Sequence, residues 1–144
     1  MRYFFESDIL YLVIITDKRI ILEAQNKKNL VLEIINNSYN HLSTNEVYNV
    51  CRNTIPNISL GTVYRNLNYL VENNLIKRIK MNDNIDRYDR LDDHIHFICM
   101  RCNKIFDIYD YSLKINEDLK GKKVLNPKII LEGICEKCQK KEEI

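Results

Sequence analysis

Two identical cysteine pairs limit what this chain can fold into more than any other feature of its sequence. Four of the five cysteines form two Cys-x-x-Cys pairs, Cys99 with Cys102 and Cys135 with Cys138. Two such pairs can hold one tetrahedral zinc ion through four thiolates, and a closed site of this kind contributes to folding and leaves no position for a substrate. The sequence therefore predicts a structural zinc site.

A pair of disulfides is the main alternative for these cysteines. The apolar run from Ile9 to Ile15 has no small-residue cleavage site and is too short to span a bilayer, so we expect neither secretion nor membrane association. A reducing, cytoplasmic location favours zinc over disulfides. A thiol-disulfide switch would need exposed cysteines of low pKa, which four zinc bonds would mask. Cys51 lies in a helical pattern and is interpreted as a buried apolar side chain.

All three histidines lie outside the cysteine pairs. His94 and His96 alternate with apolar neighbours, so a strand would point both imidazoles to one face. Together with His41 and several aspartates they offer nitrogen and oxygen ligands for a second, exchangeable ion. Metal-assisted hydrolysis would need an open position on that ion, but no HExxH, paired-carboxylate or Gly-rich phosphate motif accompanies the histidines. We expect a sensing site rather than an enzyme.

The balance of charge changes near residue 81. Residues 1–80 hold ten Lys and Arg against seven Asp and Glu, whereas residues 81–144 hold twelve against thirteen. The first half is therefore the better candidate for contact with phosphate. A solvated helix face would explain the same small bias in charge, so the assignment of a DNA-binding half depends on sequence motifs.

Local signals in the first half follow the order of a winged helix-turn-helix. A capping box at 43–46 predicts a helix to about residue 52, and Ser59 is the predicted N-cap of an amphipathic helix from Leu60. Asn73-Asn74 suits a left-handed helix end, and the stretches 75–80 and 85–88 predict a hairpin. The helix from Leu60 would enter the major groove of double-stranded DNA, with candidate contacts from Thr62, Tyr64, Arg65 and Asn66. An amphipathic helix without a DNA role fits the same periodicity.

The second half has the pattern of a small sheet. Strands are predicted at 94–98, 104–109 and 128–132, with a helix around 112–119. The predicted fold class is α+β, with an N-terminal winged helix-turn-helix domain at 1–86, a hinge at 87–93, and a small α/β domain with the four-cysteine zinc site at 94–144.

The segment Ile58-Ser59-Leu60-Gly61-Thr62-Val63-Tyr64-Arg65-Asn66-Leu67 resembles the recognition helix of the ferric uptake regulator family of metal-dependent repressors. Further motifs follow in the family's order between about residues 18 and 141: His41-Leu42-Ser43, Arg87-Tyr88-Asp89, Asp93-His94-Ile95-His96, the Cys99 pair with Asp107 five residues on, and Gly133-Ile134-Cys135. The resemblance implies that the α/β domain forms a two-fold homodimer, which matches a pseudo-palindromic operator.

The resemblance also assigns residues to sites. The structural Zn²⁺ would be bound by Cys99, Cys102, Cys135 and Cys138. A regulatory Fe²⁺ or Mn²⁺ would be bound by His41, Asp89, His94, His96 and Asp107, and so would clip the two domains together. The DNA-binding residues would be Ser59, Thr62, Tyr64, Arg65, Asn66 and Lys28.

Within the family, the Asp-His-x-His arrangement with Asp107 resembles the peroxide-responsive branch. The ferric-uptake branch more often has extra histidines beside His94 and a Glu at the position of Asp107. The resemblance to the peroxide branch implies that iron-catalysed oxidation of His41 or His94 relieves repression. An iron-responsive repressor of metal uptake genes is the second interpretation, and a zinc- or manganese-responsive repressor is the third.

The chain departs from the family at two places in its first half. Where the family starts a helix with Thr-Pro-x-Arg, this chain has Gln25-Asn26-Lys27-Lys28, which keeps only the basic residue at the fourth position. Gly61 replaces a common Ala and should cost about 1 kcal/mol of helix propensity. The segment from Met1 to Asp17 precedes the resemblance and is interpreted as an extra helix.

Overall fold

The structure, a computed structural model, describes residues 6–112, 119–125 and 128–141, with side chains described from residue 17 onward. Its contacts divide the chain into two compact units. The N-terminal unit comprises residues 1–79 and 86–90, and the C-terminal unit comprises residues 80–85 and 91–144. The domain bounds expected from the sequence stay a prediction.

Three helices and a two-stranded hairpin build the N-terminal unit. The elements are α1 Glu6–Asn36, α2 Thr44–Thr54, α3 Leu60–Glu72, β1 Lys77–Ile79 and β2 Arg87–Asp89. The two strands pair antiparallel, with Arg78 opposite Tyr88. Helix, turn, helix and hairpin follow in the predicted order of a winged helix-turn-helix, and the predicted hairpin is confirmed with shorter strands.

Polar caps set the ends of α2 and α3, as their sequences predict. The Ser43 side chain accepts from the Glu46 amide while the Glu46 carboxylate accepts from the Ser43 amide at 2.7 Å, which is a complete capping box. The Ser59 hydroxyl accepts from the Thr62 amide at 3.1 Å. Asn74, just after α3, has a φ of 54°, a left-handed conformation that Asn tolerates better than most residues. These caps fix where α3 begins and ends.

The core of the N-terminal unit lies between its three helices and the hairpin. Its fully or almost fully buried members are Val31, Ile35, Val47, Cys51, Ile58, Val63, Leu67, Leu70, Ile76 and Tyr88. Cys51 is 0% exposed, and burial raises the pKa of its thiol, so it behaves as the buried apolar side chain that the sequence predicts.

Helix α1 corrects the expectation of a separate, extra helix at Met1 to Asp17. No helix begins at Gln25-Asn26-Lys27-Lys28, because α1 runs without a break from Glu6 to Asn36. The segment has neither a proline nor a side-chain cap to start a new helix, and the Gln25 Nε2 donates to Asn29 Oδ1 at 2.9 Å along the helix surface. The predicted extra helix at Met1 to Asp17 is therefore the first part of α1 over residues 6–17, and residues 1–5 lie outside the described residues.

A three-stranded sheet and a short helix build the C-terminal unit. The elements are β3 Ile95–Cys99, β4 Ile105–Ile108, β5 Ile130–Gly133 and α4 Glu136–Gln139. The strand order is β4-β3-β5, with β3 antiparallel to β4 and parallel to β5. The three predicted strands are confirmed with bounds shifted by one or two residues. The helix predicted around 112–119 falls mostly on residues 113–118, outside the described residues.

Along the part of the chain that the structure describes, no helix combines the length and the apolar character needed to cross a membrane.

Candidate metal centres and nucleic-acid interface

The structure brings the four paired cysteines together in the C-terminal unit. Their sulfur atoms all lie within 4.8 Å of one another, and Cys102 Sγ is 3.8 Å from Cys135 Sγ. Four thiolates on a tetrahedral zinc ion at about 2.3 Å would lie about 3.8 Å apart. The donor set and its spacing therefore fit zinc.

Local backbone structure positions each cysteine pair. The amide of Asn103 donates to the carbonyl of Cys99 at 2.9 Å, and Asn103 has a φ of 54°, so the first pair lies in a tight turn after β3. Cys135 is the N-cap of α4, and the amide of Cys138 donates to its carbonyl at 2.9 Å. A bond of 2.8 Å from the Met100 amide to the Gly133 carbonyl joins the two loops. The sheet thus sets the distance between the pairs.

The pKa values of two of these thiols, Cys99 and Cys138, shift in opposite directions. The backbone amide of Cys135 donates to Cys99 Sγ at 3.3 Å, and this bond, with further backbone donors at Cys102 and Arg101, lowers the pKa of Cys99 to about 6. Hydrogen bonding to the Cys135 sulfur and then burial raise the pKa of Cys138 to about 12. The Cys99 thiolate therefore forms readily, whereas that of Cys138 is disfavoured. A cluster of four thiolates needs a bound cation to balance its charge.

A second group of ligand side chains in the C-terminal unit comprises His94, His96 and Asp107. The two Nε2 atoms are 3.0 Å apart, and Asp107 Oδ1 lies 3.4 Å from that of His94 and 3.6 Å from that of His96. Each histidine is only 6% exposed. The prediction that both imidazoles point to one face of the strand is confirmed, and the antiparallel register adds Asp107 because it lies opposite His96.

Tyr109 borders this group and has no predicted role in the sequence analysis. Its ring centroid is 5.3 Å from that of His94, and its hydroxyl donates to Asp107 Oδ2 at 3.5 Å. The signal was present in the sequence, because Tyr109 is two residues after Asp107 and so shares its face of the strand.

The N-terminal unit holds a separate pair, His41 and Asp89. His41 Nε2 lies 3.8 Å from Asp89 Oδ2, and the two side chains are 5% and 1% exposed. The amide of Tyr88 donates to the carbonyl of Leu42 at 3.0 Å, which ties β2 to the loop between α1 and α2. His41 has a φ of 49°, an unfavourable conformation for most residues other than glycine. Imidazole and carboxylate donors of this kind suit Fe²⁺ or Mn²⁺.

Helix α3 presents a polar, accessible face to one side of the N-terminal unit. Tyr64 is 52% exposed and Arg65 is exposed, and the Arg65 Nη2 donates to Thr62 Oγ1 at 3.3 Å. The Thr62 hydroxyl also bonds the Ser59 hydroxyl at 2.9 Å. The side chains of Ser59, Thr62 and Arg65 therefore form one hydrogen-bonded group along the start of α3.

Three of the predicted DNA-binding residues are half-buried: Lys28, Thr62 and Asn66. Asn66 is half-buried, and among the described residues its Nδ2 atom has no hydrogen-bond partner. Its amide thus lies beside the buried stripe of α3 rather than on the outer face. Lys28 is half-buried, with its ammonium group 4.2 Å from the ring centroid of Tyr69, so it packs α1 against α3.

Known proteins resemble the chain in sequence and in fold. The chain is 34% identical over 121 residues to the peroxide operon regulator of Bacillus subtilis, a match that covers 81% of this chain and 83% of that protein. It is 30% identical over 118 residues to the ferric uptake regulation protein of the same organism, covering 76% and 79%. The crystal structure of the Campylobacter jejuni peroxide stress regulator matches with a TM-score of 0.70 at 28% identity, covering 87% of this chain and 98% of that one.

The model of the ferric uptake regulator family matches residues 22–130, which include α3, the His41 and Asp89 pair, the group around Asp107 and the first cysteine pair. The winged helix-turn-helix, the sheet and the order of these motifs agree with that match, and the chain belongs to the ferric uptake regulator family.

Proposed function

We propose that this protein is a metal-dependent transcriptional repressor that binds a pseudo-palindromic operator as a homodimer and responds to hydrogen peroxide. The observation that carries the proposal is that each unit holds its own group of buried His and Asp side chains, in addition to a separate cluster of four cysteines. The names of the B. subtilis and C. jejuni relatives support the peroxide response.

The four cysteines are assigned to a structural Zn²⁺. Thiolates close all four positions of a tetrahedral ion, so this site contributes stability to the C-terminal unit and does no chemistry. The assignment requires reduced cysteines and so suits the cytoplasm. Metal content after removal of weakly bound metals tests it.

The regulatory ion, Fe²⁺ or Mn²⁺, is assigned to His41, Asp89, His94, His96 and Asp107. With both sets of ligands on one ion, the two units would be held in one orientation, and the two α3 helices of a dimer would be set at a spacing that fits successive major grooves. The side chains of Arg65, Tyr64, Thr62 and Ser59 are assigned to contacts with phosphates and base edges, and those of Asn66 and Lys28 to supporting contacts.

When bound at these ligands, Fe²⁺ would catalyse cleavage of the O–O bond of hydrogen peroxide, and Mn²⁺ would not readily do so. In the protein, a ring carbon of His41 or His94 would be oxidised, so that its C–H bond is replaced by a C–O bond. The O–O bond of the peroxide breaks, and the second oxygen leaves as water. The oxidised imidazole is a poorer ligand, so the hold on the two units weakens and the protein leaves DNA.

The test compares operator binding by the zinc-loaded protein with Fe²⁺, with Mn²⁺ and without added metal, before and after peroxide. We expect binding with either ion, loss of binding after peroxide with Fe²⁺ only, and a gain of one oxygen atom in the peptides that contain His41 or His94. Mass spectrometry of the Mn²⁺ sample is the matched control.

An iron-responsive repressor is the second candidate, favoured by the 30% identity to the B. subtilis ferric uptake regulation protein. It predicts that Fe²⁺ supports operator binding and that the iron-loaded protein stays on DNA after peroxide with both histidines unmodified. That outcome would replace the peroxide response.

A further inference from the structure

Arg90 is a buried arginine that the assigned sites do not use. It follows Asp89 at the end of β2 and is only 6% exposed. A buried guanidinium is costly unless hydrogen bonds and a counter-charge compensate for the lost water. The surroundings of Arg90 supply both.

Contacts with Ser38, Tyr39 and Asp89 help to hold the guanidinium of Arg90. Its Nη1 donates to the carbonyl of Ser38 at 3.2 Å, its central carbon lies 4.2 Å from the ring centroid of Tyr39, and Nη1 is 3.9 Å from Asp89 Oδ1. Ser38 and Tyr39 belong to the loop that also carries His41. Arg90 therefore fastens the end of β2 to that loop.

The two carboxylate oxygens of Asp89 face different groups. Oδ1 faces Arg90, and Oδ2 lies 3.8 Å from the Nε2 of His41. The guanidinium thus provides a counter-charge at one oxygen of the carboxylate, and the imidazole lies at the other. A ligand carboxylate oriented by a neighbouring charged group binds a metal more tightly than one that is free to rotate.

The loop also needs to be held. The φ of 49° at His41 is a conformation that an L-residue adopts at a cost, so the surrounding contacts must impose it. The stacking of Arg90 on Tyr39 and its bond to Ser38 lie two and three residues from His41. They are therefore placed to keep the imidazole turned toward Asp89.

We propose that Arg90 is a positioning residue that preorganises the His41 and Asp89 half of the regulatory metal site before a divalent cation binds. The inference rests on the proposed function, because it takes His41 and Asp89 as ligands. The positive charge of Arg90 could also have the opposite effect on metal affinity. If repulsion between the guanidinium and the cation outweighs preorganisation, removal of Arg90 will tighten metal binding.

The experiment measures Mn²⁺ affinity of the full-length, zinc-loaded protein by calorimetry, since Mn²⁺ binds without promoting oxidation. We expect Arg90→Gln to weaken Mn²⁺ binding by about 10- to 100-fold. Arg90→Lys should recover part of that loss, because it restores the charge without the planar group. Unchanged or tighter Mn²⁺ binding by Arg90→Gln would overturn the proposal.

Two further variants separate positioning from general damage. Tyr39→Leu removes the stacking partner of Arg90. Because Tyr39 is 71% exposed, the fold should tolerate this change. We expect Tyr39→Leu, like Arg90→Gln, to weaken Mn²⁺ binding. If Arg90→Gln does not fold, an unchanged Mn²⁺ affinity in Tyr39→Leu overturns the proposal by itself. Arg52→Gln is the matched control, because Arg52 also stacks on a tyrosine of this unit, Tyr48, at 5.7 Å, and should leave Mn²⁺ affinity unchanged.

Asp89→Asn distinguishes failure of the ligand assignment of Asp89 from failure of the positioning role of Arg90. If it leaves Mn²⁺ affinity unchanged, the assignment of Asp89 as a ligand fails. If Asp89→Asn weakens binding while Arg90→Gln and Tyr39→Leu do not, the ligand assignment stands and the role of Arg90 fails. Zinc content and the thermal midpoint of the Mn²⁺-free protein, measured for every variant, show whether a loss of affinity is a loss of fold.

Discussion

His96 and Asp107 lie directly opposite each other on β3 and β4, with His96 Nε2 3.6 Å from Asp107 Oδ1. Because side chains alternate between the two faces of a strand, a shift of one residue in this pairing would turn Asp107 away from both histidines. The register of two short strands therefore assembles three of the proposed ligands. The sheet, rather than a flexible loop, sets their geometry.

The first prediction concerns this carboxylate. Asp107→Ala should weaken Mn²⁺ binding strongly and leave the structural zinc in place, because Asp107 is proposed as a ligand of the regulatory ion only. Metal analysis and calorimetry measure the two sites separately. Asp110→Ala is the control, since Asp110 is an exposed acidic residue on the same segment and should leave both metals bound. Normal Mn²⁺ affinity in Asp107→Ala would remove this residue from the site.

The second prediction concerns the cysteine cluster. Cys99→Ser should lose the tightly held zinc and the dimer, because the binding energy of such an ion is folding energy for the domain that holds it. Zinc content after treatment with a weak chelator and sedimentation velocity measure the two effects. Cys51→Ala is the control, because Cys51 lies in the core of the other unit and should keep zinc and dimer. A dimeric Cys99→Ser protein without zinc would contradict the structural role.

Sequence reasoning recovered what short-range patterns encode. The capping box at Ser43, the cap at Ser59 and the alternation of His94 and His96 depend on neighbours within a few residues, and the structure confirms each. The segment from Met1 to Asp17 was expected to form an extra helix, whereas α1 continues through Gln25, where the sequence has no signal that starts a helix.

Other features depend on contacts between distant parts of the chain. Arg90 stacks on Tyr39 across 51 positions, and no local pattern encodes such a pair. Asn66 is different, because helical geometry already places it three residues after Val63 and four before Leu70, both buried. Its half-buried side chain was therefore readable from the periodicity that predicted the helix.

The third prediction concerns Gly61 in α3. A Cβ at this position would meet only the flexible Arg65 Nη1 at 3.6 Å and Ser59 Oγ at 4.0 Å, which are ordinary contacts. Gly61→Ala should therefore raise the free energy of unfolding of the N-terminal unit by about 0.5–1 kcal/mol, since alanine loses less backbone entropy in a helix. Chemical denaturation followed by circular dichroism measures the change.

Gly133→Ala is the contrasting variant for this prediction. A Cβ at Gly133 would come within 3.0 Å of Phe97 Cε2, so the ring would have to move. We expect this substitution to destabilise the C-terminal unit. A destabilised Gly61→Ala protein would show that the glycine is needed for something other than helix geometry.

The fourth prediction is a pH dependence at the start of α2. Hydrogen bonds from the Ser43 hydroxyl and then the Ser43 amide lower the pKa of Glu46 below its ordinary 4.5. A carboxyl whose pKa is lower in the folded state stabilises the fold above its unfolded pKa, and this contribution is lost as the pH falls through the folded value. The stability difference between the natural protein and Glu46→Gln should therefore be present at pH 6 and shrink below about pH 4.5.

Denaturant unfolding between pH 3 and 7 measures this difference. Ser43→Ala should cost about 1 kcal/mol at neutral pH through the lost cap. In a Ser43→Ala background, the pH-dependent effect of Glu46→Gln should be smaller, because the hydroxyl that donates to the carboxylate is gone. An effect that does not change with pH would show that Glu46 acts through helix propensity instead.

The last prediction concerns Arg65, which is exposed on α3 and oriented by its bond to Thr62 Oγ1. Arg65→Ala should abolish specific operator binding while both metals and the dimer remain, because the side chain lies neither in the core nor in a ligand group. Fluorescence anisotropy at several salt concentrations distinguishes the loss of a base contact from the loss of a phosphate contact. A lost base contact lowers the ratio of specific to non-specific affinity, whereas a lost phosphate contact weakens both and reduces the salt slope by about one. Arg19→Ala removes the same charge from an exposed position on α1 and should keep the specificity ratio. Normal operator footprinting by Arg65→Ala would remove α3 as the recognition helix.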